Sequence, residues 1–452
     1  MERDKLDFGN GRISRLFSAM FFPTLVGMVS NSVLNICDGM FVGHGVGSDA
    51  LAAINIVAPL FMLCIGLGLM LGIGASVAGS IHLAENNVKA ARIIMTQAYI
   101  AGAVIFSAVI IVSALFTRPV LYMLGCSPVL EPYARDYLIW LLPGLAFFFL
   151  QCVGMMLIRL DGSPRYAMSV QVVAAVLNIF LDWLMVYPLD MGIKGASIAT
   201  SFSCVVGGSM VLVYFLCFSK QLKFYRLKLS LTSLKLSLRN VGYMAKIGSA
   251  TFISEIAIGL MMITGNFMFM ERLGEAGVAA FSVGCYLFPV IFSISNAVAQ
   301  SAQPIISFNY GTRNMHRVAE ALNLSLKAAS GCGVAISLLM WLGAPALAGV
   351  FLPSDTPAWA ISAEGLPLLG LCALFFAINI TFIGYYQSIE KAVRSVVYTL
   401  LRGLIFVVPF FIFLPDIWGD TGLWLAIPCA EFAASVIIAG IYITAPQKRL
   451  LN

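Results

Sequence analysis

The stretch YAMSVQVVAAVLNIFLDWLMVYP, residues 166–188, is an apolar run of about twenty-three residues with one carboxylate inside it. A run of this length is enough to cross a lipid bilayer as an α-helix. The carboxylate is Asp182, and Asn178 precedes it by four residues, so both side chains share one helix face. A charge at membrane depth costs about 2.5–3.5 kcal/mol on insertion scales and is usually functional. The stretch therefore predicts a membrane helix that binds a cation or a proton.

The whole composition agrees with a membrane protein. The chain has 452 residues, of which 60% are hydrophobic and 11% charged, whereas a soluble chain carries roughly 25% charged residues. The apolar runs are too long and too uniform for the alternating strands of a membrane barrel. We predict an all-α polytopic protein with twelve transmembrane helices, at about residues 16–41, 51–80, 93–115, 134–158, 165–188, 192–218, 244–270, 277–308, 325–351, 363–388, 394–416 and 421–445.

The basic residues are distributed unevenly between the two sides of the predicted helices. If the N-terminus is cytoplasmic, about 22 of the 27 Lys and Arg residues fall on the cytoplasmic side, including Lys448 and Arg449 near the C-terminus. About four remain on the opposite side, an asymmetry that follows the positive-inside rule. We therefore expect both termini in the cytoplasm, a bacterial inner-membrane location, and a first span that acts as an uncleaved anchor. The basic balance then needs no nucleic-acid partner.

The two halves of the chain resemble each other at a constant offset of 227 residues. The recurring positions are small residues and one asparagine in each half: Gly47, Ala52, Ala53, Asn87, Gly192, Gly195 and Ala199 against Gly274, Ala279, Ala280, Asn314, Gly419, Gly422 and Ala426. Six spans per half make the repeats parallel, and such repeats are typical of transporters. We predict a six-helix N-terminal lobe (1–218), a basic cytoplasmic linker (219–243) and a six-helix C-terminal lobe (244–452) around a central cavity.

Enzyme motifs are missing from the sequence. It contains no GxxxxGK[ST] loop, no HExxH pair and no GxSxG elbow, so we expect neither an enzyme nor an organic cofactor. The ten cysteines stand singly in apolar runs, where cysteine behaves as a small hydrophobe. A secondary transporter fits these observations, because it needs only an ion gradient.

Five charged residues lie well inside predicted spans. They are the acids Asp38, Asp182, Glu255 and Glu431 and the base Arg402. Intramembrane charges are functional candidates by default. Arg402 and Glu431 fall on neighbouring spans, so they either form a structural pair or serve in coupling or substrate binding.

The N-terminal lobe supplies a set of oxygen ligands. Asp38, Asn178, Asp182 and Thr200 come from three different spans, and two carboxylates, an amide and a hydroxyl suit a hard cation such as sodium. Two neighbouring carboxylates also oppose each other's ionisation, which suits a proton carrier. These residues suit either Na⁺ or H⁺, so they do not identify the coupling ion. No metal beyond a coupled Na⁺ is expected.

Several motifs in this order resemble the multidrug and toxic compound extrusion (MATE) family of cation-coupled antiporters, in its bacterial branch. They are Asp38-Gly-Met-Phe-Val-Gly43, Gly47 with Leu51-Ala52-Ala53, Gly72-Ile-Gly74-Ala75-Ser76, Arg159-Leu-Asp-Gly162, Asn178-Ile-Phe-Leu-Asp182 and Gly192-Ile-Lys-Gly195 through Thr200. The resemblance covers essentially the whole chain. It implies a cation site similar to the quartet Asp38, Asn178, Asp182 and Thr200.

The resemblance also implies a second possible site. Some members of the family use a Glu in span seven and an Asp in span ten, and Glu255 matches the first of these. Span ten of this chain has no Asp and offers only Asn379 as a polar candidate. We therefore favour coupling in the N-terminal lobe and keep Glu255, Asn379, Arg402 and Glu431 as secondary coupling or substrate candidates.

The resemblance implies export of amphipathic or cationic organic compounds in exchange for H⁺ or Na⁺ by alternating access. The alternative is a flippase for lipid-linked oligosaccharides or lipids of the same superfamily. A membrane receptor would leave the four-residue site unexplained. The expected partners are small organic substrates and the lipid bilayer, and the protein is expected to be a monomer.

Overall fold

The computed structural model describes residues 6–46, 48–228 and 230–444, apart from the side chains at positions 43, 44, 48, 49, 51 and 52. Gly47, the side chains of Leu51 and Ala52, and Lys448 and Arg449 lie outside the described residues. The helices are α1 (Ile13–Gly45), α2 (Ser48–Ala84), α3 (Val88–Leu115), α4 (Thr117–Met123), α5 (Glu131–Leu160), α6 (Pro164–Val186), α7 (Gly192–Val213), α8 (Leu231–Gly311), α9 (Met315–Phe351), α10 (Pro357–Gly370), α11 (Cys372–Ser388), α12 (Ala392–Leu400), α13 (Val407–Trp418) and α14 (Asp420–Thr444), with π-helical turns at Tyr214–Phe218 and Leu401–Ile405.

Twelve membrane-spanning segments result from these helices, as predicted. Within the described residues, ten helices are long and apolar enough to cross a bilayer, and the bent pair α10 and α11, taken as one span, makes an eleventh. The 81-residue helix α8 is interrupted at Gly274, where φ is +63°. Because only glycine adopts this backbone conformation without strain, α8 is two helices joined at one residue. It therefore supplies two spans, and the protein is an all-α multi-pass membrane protein.

The repeat is visible in local backbone structure. Asn87 caps the N-terminus of α3 by accepting a hydrogen bond from the Ala90 N–H, and Asn314 caps α9 through the Arg317 N–H. An Asx side chain at this position satisfies a backbone donor that the first helical turn leaves free. Gly192 and Gly419 share another special geometry, with φ of +57° and +61°. Both pairs are separated by the offset found in the sequence, so the repeat in the sequence is also a repeat in structure.

The contacts divide the chain into two compact units. The first contains Met1–Gly11 and Phe22–Phe252, and the second contains Arg12–Phe21 and Ile253–Asn452. Each has its own apolar core. In the first, large side chains such as Phe106 and Leu138 are buried, and in the second Phe269 and Phe411 are buried. The predicted lobe boundaries at residues 218 and 244 stay a prediction.

Small residues allow close helix packing within the first unit. A Cβ atom added at Gly144 of α5 would lie 2.6 Å from the Cα of Ser201 in α7, and one at Gly208 would lie 2.5 Å from the carbonyl oxygen of Phe147. Close backbone approach at small residues is how membrane helices associate without a hydrophobic driving force. All ten cysteines are free thiols, and five of them are buried.

The linker after α7 is fixed to the loop between α5 and α6 by Asp161. Its Oδ2 accepts hydrogen bonds from the hydroxyls of Tyr214 at 2.7 Å and Ser219 at 3.1 Å. Its Oδ1 accepts from the backbone N–H groups of Gln221 at 3.3 Å and Leu222 at 3.2 Å. Asp161 is buried, as are Tyr214 and Ser219. One carboxylate therefore holds the start of the linker.

We expect Asp161→Asn to loosen the linker. The amide presents a donor in place of one acceptor oxygen, so two of the four donors lose their partner, and hydrogen bonds to charged groups contribute about 1.5–3 kcal/mol each. Trypsin should then cleave after Lys220 and Lys223 at least tenfold faster in detergent micelles, because local opening precedes cleavage. Asp355→Asn, at an exposed acid, should leave the cleavage rate unchanged. Equal rates in the two variants would contradict this role of Asp161.

Candidate functional site

Helix α6 has a lipid-exposed face and a buried polar face. Val173, Val176, Phe180 and Trp183 are exposed and lie along one side at helical spacing. Asn178 and Asp182 lie on the opposite side and are fully buried. The amide and the carboxylate therefore share one helix face, as the spacing predicted, and that face turns into the protein.

Asn178 links α6 to α7. In the amide orientation that satisfies both of its polar atoms, Nδ2 donates to Asp182 Oδ2 at 3.3 Å and the side-chain oxygen accepts from the Thr200 N–H at 3.1 Å. The Thr200 hydroxyl donates to the carbonyl of Ala196, one turn earlier in α7, at 3.1 Å. Three of the four predicted residues are therefore joined directly, and Asn178 holds one oxygen of Asp182.

Asp38 reaches the same place from α1. Asp38 and Asp182 interact electrostatically, and Cys37 lies within the field of both carboxylates. One oxygen of each carboxylate, Oδ1 of Asp38 and Oδ1 of Asp182, is buried and has no hydrogen-bond partner among the described residues. A buried oxygen without a partner costs free energy unless it binds a proton or an ion. The two carboxylates therefore form a place where a cation would be stabilised.

Tyr137 completes this cluster and was not predicted from the sequence. It lies on α5, its side chain is buried, and its phenol lies within the electrostatic field of Asp38 and Asp182. In the sequence it stands in the ordinary run DYLIWLL, where an aromatic residue gives no sign of a polar role. Only the packing of α5 against α6 and α7 places the phenol near the carboxylates.

The second unit contains a different polar cluster. Arg402 Nε donates to both Glu431 oxygens, at 3.0 and 3.2 Å, and both side chains are buried. Asn379 Nδ2 donates to Glu431 Oε2 at 2.8 Å, and the Ser435 hydroxyl donates to the Asn379 oxygen at 2.8 Å. The Arg402 guanidinium also lies 4.1 Å from the centre of the Phe376 ring. The charges in this cluster are matched, so the structural pairing is the better account of Arg402 and Glu431.

Glu255 stands apart from both clusters. It lies on α8 and is half-buried, and within the described part of the chain no hydrogen bond or ion pair is found for it. The structure does not bring it to Asn379 or Glu431. Nor does any group of three or more His, Cys, Asp and Glu side chains in the described ranges form a metal site. The N-terminal carboxylates thus remain the best candidates for cation binding.

Comparison with known proteins matches this chain to one family and to several transporters. The profile of the MatE family matches residues 23–184 and 250–412, two segments whose starts are separated by the same offset as the recurring residues. A FAD transporter of Shewanella oneidensis is 23% identical over 96% of this chain and 95% of its own length. The multidrug export protein MepA of Staphylococcus saprophyticus is 20% identical over 90% of this chain and 89% of its own length.

Solved structures share the fold. One is described as an outward-facing conformation of a multidrug resistance MATE family transporter of the MOP superfamily, and it matches with a TM-score of 0.89 and 22% identity over 98% of this chain and 100% of that chain. The Vibrio cholerae MATE transporter VcmN, as the D35N mutant, matches with a TM-score of 0.89 and 21% identity over 97% and 98%. These structures have the two-repeat, twelve-helix architecture.

Proposed function

We propose that this chain, which belongs to the MatE family of membrane transporters, is a secondary active antiporter that exports amphipathic or cationic organic compounds in exchange for H⁺ or Na⁺. One observation carries the proposal. Asp38 and Asp182, on different helices, each hold a buried carboxylate oxygen without a partner in the same cluster. A transporter driven by a cation gradient needs such a site, because the ion must bind where its charge is compensated.

The roles of the cluster residues follow from their contacts. Asp38 and Asp182 would supply the charge that binds the ion, and Asn178 would orient Asp182 by holding its second oxygen. Thr200 and Tyr137 would supply further oxygen atoms at the edge of the cluster. An inward proton or sodium ion contributes electrical work of about 2.3 kcal/mol per charge per 100 mV.

Coupling requires that ion and substrate affect each other's affinity. A bound ion would neutralise the carboxylates of the N-terminal lobe and favour the state that releases substrate. By linkage, the bound substrate lowers the affinity for the ion by the same factor. Glu255 remains a second candidate for this exchange or for attracting a cationic substrate, since it is an ionisable side chain within α8 without an ionic partner in the described structure.

The relatives support small-molecule export. The named proteins include multidrug export proteins and a FAD transporter, which favours small organic substrates over the lipid flippase alternative. We further propose a bacterial inner-membrane location with cytoplasmic termini, because the basic residues follow the positive-inside rule.

The test is export from proteoliposomes under imposed gradients. Purified protein would be reconstituted, and transport of ethidium, an organic cation, would be followed with a proton gradient, a sodium gradient or neither. We expect one gradient to drive ethidium out at a rate several times the rate without a gradient. FAD and a fluorescent lipid would be assayed in parallel. Movement of the lipid alone, without a gradient, would overturn the proposal in favour of the flippase.

A further inference from the structure

We propose that residues 219–228 and 230–243, in the segment between the sixth and seventh spans, form a docking surface for anionic phospholipid headgroups. This inference concerns a surface outside the ion site and does not depend on the transported substrate. The segment begins directly after the π-helical turn Tyr214–Phe218 that ends the sixth span. It therefore starts at the boundary between the hydrocarbon core and water.

The charged residues of the segment are all positive. The segment contains six basic residues and no acidic residue. All six basic side chains are exposed: Lys220, Lys223, Arg226, Lys228, Lys235 and Arg239. Clusters of four to eight Lys and Arg residues beside a membrane helix attract anionic lipids, and each adds about a factor of five in affinity near a charged leaflet.

The helical part of the segment is amphipathic with its apolar side outward. Leu231, Leu234 and Leu238 follow i, i+3, i+7 spacing, and their exposed fractions are 79%, 57% and 65%. Ser237, Asn240 and Val241 lie on the adjoining side of the helix, which faces the protein, and are partly buried. A helix that turns polar side chains to the protein and leucines away from it is suited to lipid on its outer side.

The polar side is tied to α3 by side-chain hydrogen bonds. Gln97 Nε2 donates to the Ser237 hydroxyl at 2.9 Å, and Asn240 Nδ2 donates to the Gln97 oxygen at 3.0 Å. Closer to the start, the Tyr225 N–H donates to the Thr96 hydroxyl at 2.9 Å. The helix is therefore held in the orientation that exposes its leucines.

The first basic residues are held in place through the backbone. The Arg92 guanidinium of α3 donates from Nε to the Gln221 carbonyl at 2.7 Å, and Asp161 accepts the Gln221 and Leu222 N–H groups. These bonds use backbone groups of the linker, so the side chains of Lys220 and Lys223 stay free and exposed. Asp161 and Arg92 are thus positioning residues for the surface.

The combination of features selects the occupant. Exposed leucines beside lysines and arginines match the two parts of an anionic lipid, its acyl chains and its phosphate. An acidic protein or a nucleic acid would complement the charge but would leave the leucines in contact with water. The surface also adjoins a membrane span, where lipid is always present. Phosphatidylglycerol in the adjacent leaflet is therefore the occupant to which the proposal commits.

The test measures the reactivity of lysines in the wild-type protein. Protein in nanodiscs of phosphatidylglycerol or of phosphatidylcholine would be acetylated with a water-soluble amine reagent, and each lysine would be followed by mass spectrometry. We expect Lys223, Lys228 and Lys235 to react about fivefold more slowly in phosphatidylglycerol. Salt at 0.5 M should remove most of this difference. Lys194 and Lys327, exposed single lysines at the ends of other spans, serve as controls and should show a smaller difference between the two lipids than the clustered linker lysines.

Two further results bear on the proposal. Asp161→Asn should reduce the protection of Lys223 while leaving the controls unchanged. Lipid bound at another surface of the protein would not make the protection of Lys223 depend on Asp161. Equal reactivity of the linker lysines in the two lipids would overturn the proposal. Protection that appears in both lipids and grows with protein density would also overturn it, because it would indicate a second copy of the chain. Neither readout uses a gradient or a substrate, so failure of the antiport proposal would leave this test intact.

Discussion

Replacing Asp182 with asparagine is expected to uncouple export from the ion gradient. The substitution keeps the size of the side chain and the contact with Asn178 but removes the charge beside Asp38. Allosteric coupling between two ligands typically changes affinity by about 5–150-fold, and we expect this factor to fall to one. The measurement is substrate affinity with and without the coupling ion, together with gradient-driven ethidium export from proteoliposomes. Export should drop to the rate of vesicles without a gradient.

The matched control for this experiment is Asp190→Asn. Asp190 is an exposed acid in the loop after α6, and its φ of +47° is one that asparagine accepts readily. Export by this variant should stay within about twofold of wild type, since surface substitutions change little. If Asp38→Asn and Asp182→Asn act on one site, the double variant should be no worse than either single variant. Wild-type coupling in Asp182→Asn would contradict an ion site in the N-terminal lobe. Loss of coupling in Glu255→Gln alone would instead place the ion site in the second unit.

Arg402→Met is expected to destabilise the protein by about 3–5 kcal/mol, because it leaves the buried Glu431 carboxylate without its cation. The thioether preserves much of the volume beside Phe376. The double substitution Arg402→Met with Glu431→Gln should recover most of this loss, because glutamine still accepts the hydrogen bond from Asn379. The measurement is the free energy of unfolding in mixed detergent micelles, obtained by titration with SDS.

An exposed ion pair in the same unit provides the comparison. Arg272 and Asp416 form a salt bridge in which the side chains are 39% and 62% exposed. Arg272→Met should cost less than about 1 kcal/mol, since solvent already screens the pair. The prediction for Arg402 fails if Arg402→Met is as stable as Arg272→Met. Normal stability with lost export would instead assign Arg402 to coupling or to substrate binding.

The number and placement of the spans could be predicted from the sequence with small errors. The predicted spans 165–188 and 192–218 correspond to Pro164–Val186 and Gly192–Phe218. This success has a local cause, because in lipid every backbone group must be paired within its own helix, so apolar length specifies the element. The joint at Gly274 was harder to foresee, since a single glycine replaces the usual loop between two spans.

The polar clusters show where sequence reasoning reached its limit. Asn178 and Asp182 share a helix face by spacing alone, and the structure joins them. Tyr137 was missed because its role depends on how α5 packs against α7, which its neighbours in the chain do not indicate. The sequence allowed two interpretations of Arg402 and Glu431, a structural ion pair or a role in coupling or substrate binding. Only the structure favours the ion pair, because it places Arg402 Nε 3.0 Å from Glu431 Oε1.

Sequence patterns were sufficient to predict a twelve-helix membrane protein built from two copies of one repeat, with one carboxylate inside the apolar run that forms α6. These properties follow from apolar length, helical period and recurring glycines and asparagines, all of which act over short distances along the chain. The tertiary structure alone decided which charges have partners. Asp38 and Asp182 lie within each other's electrostatic field, and each has one buried oxygen without a hydrogen-bond partner among the described residues, whereas Glu431 pairs with Arg402. The contacts responsible join residues far apart in sequence, so they depend on how whole helices pack.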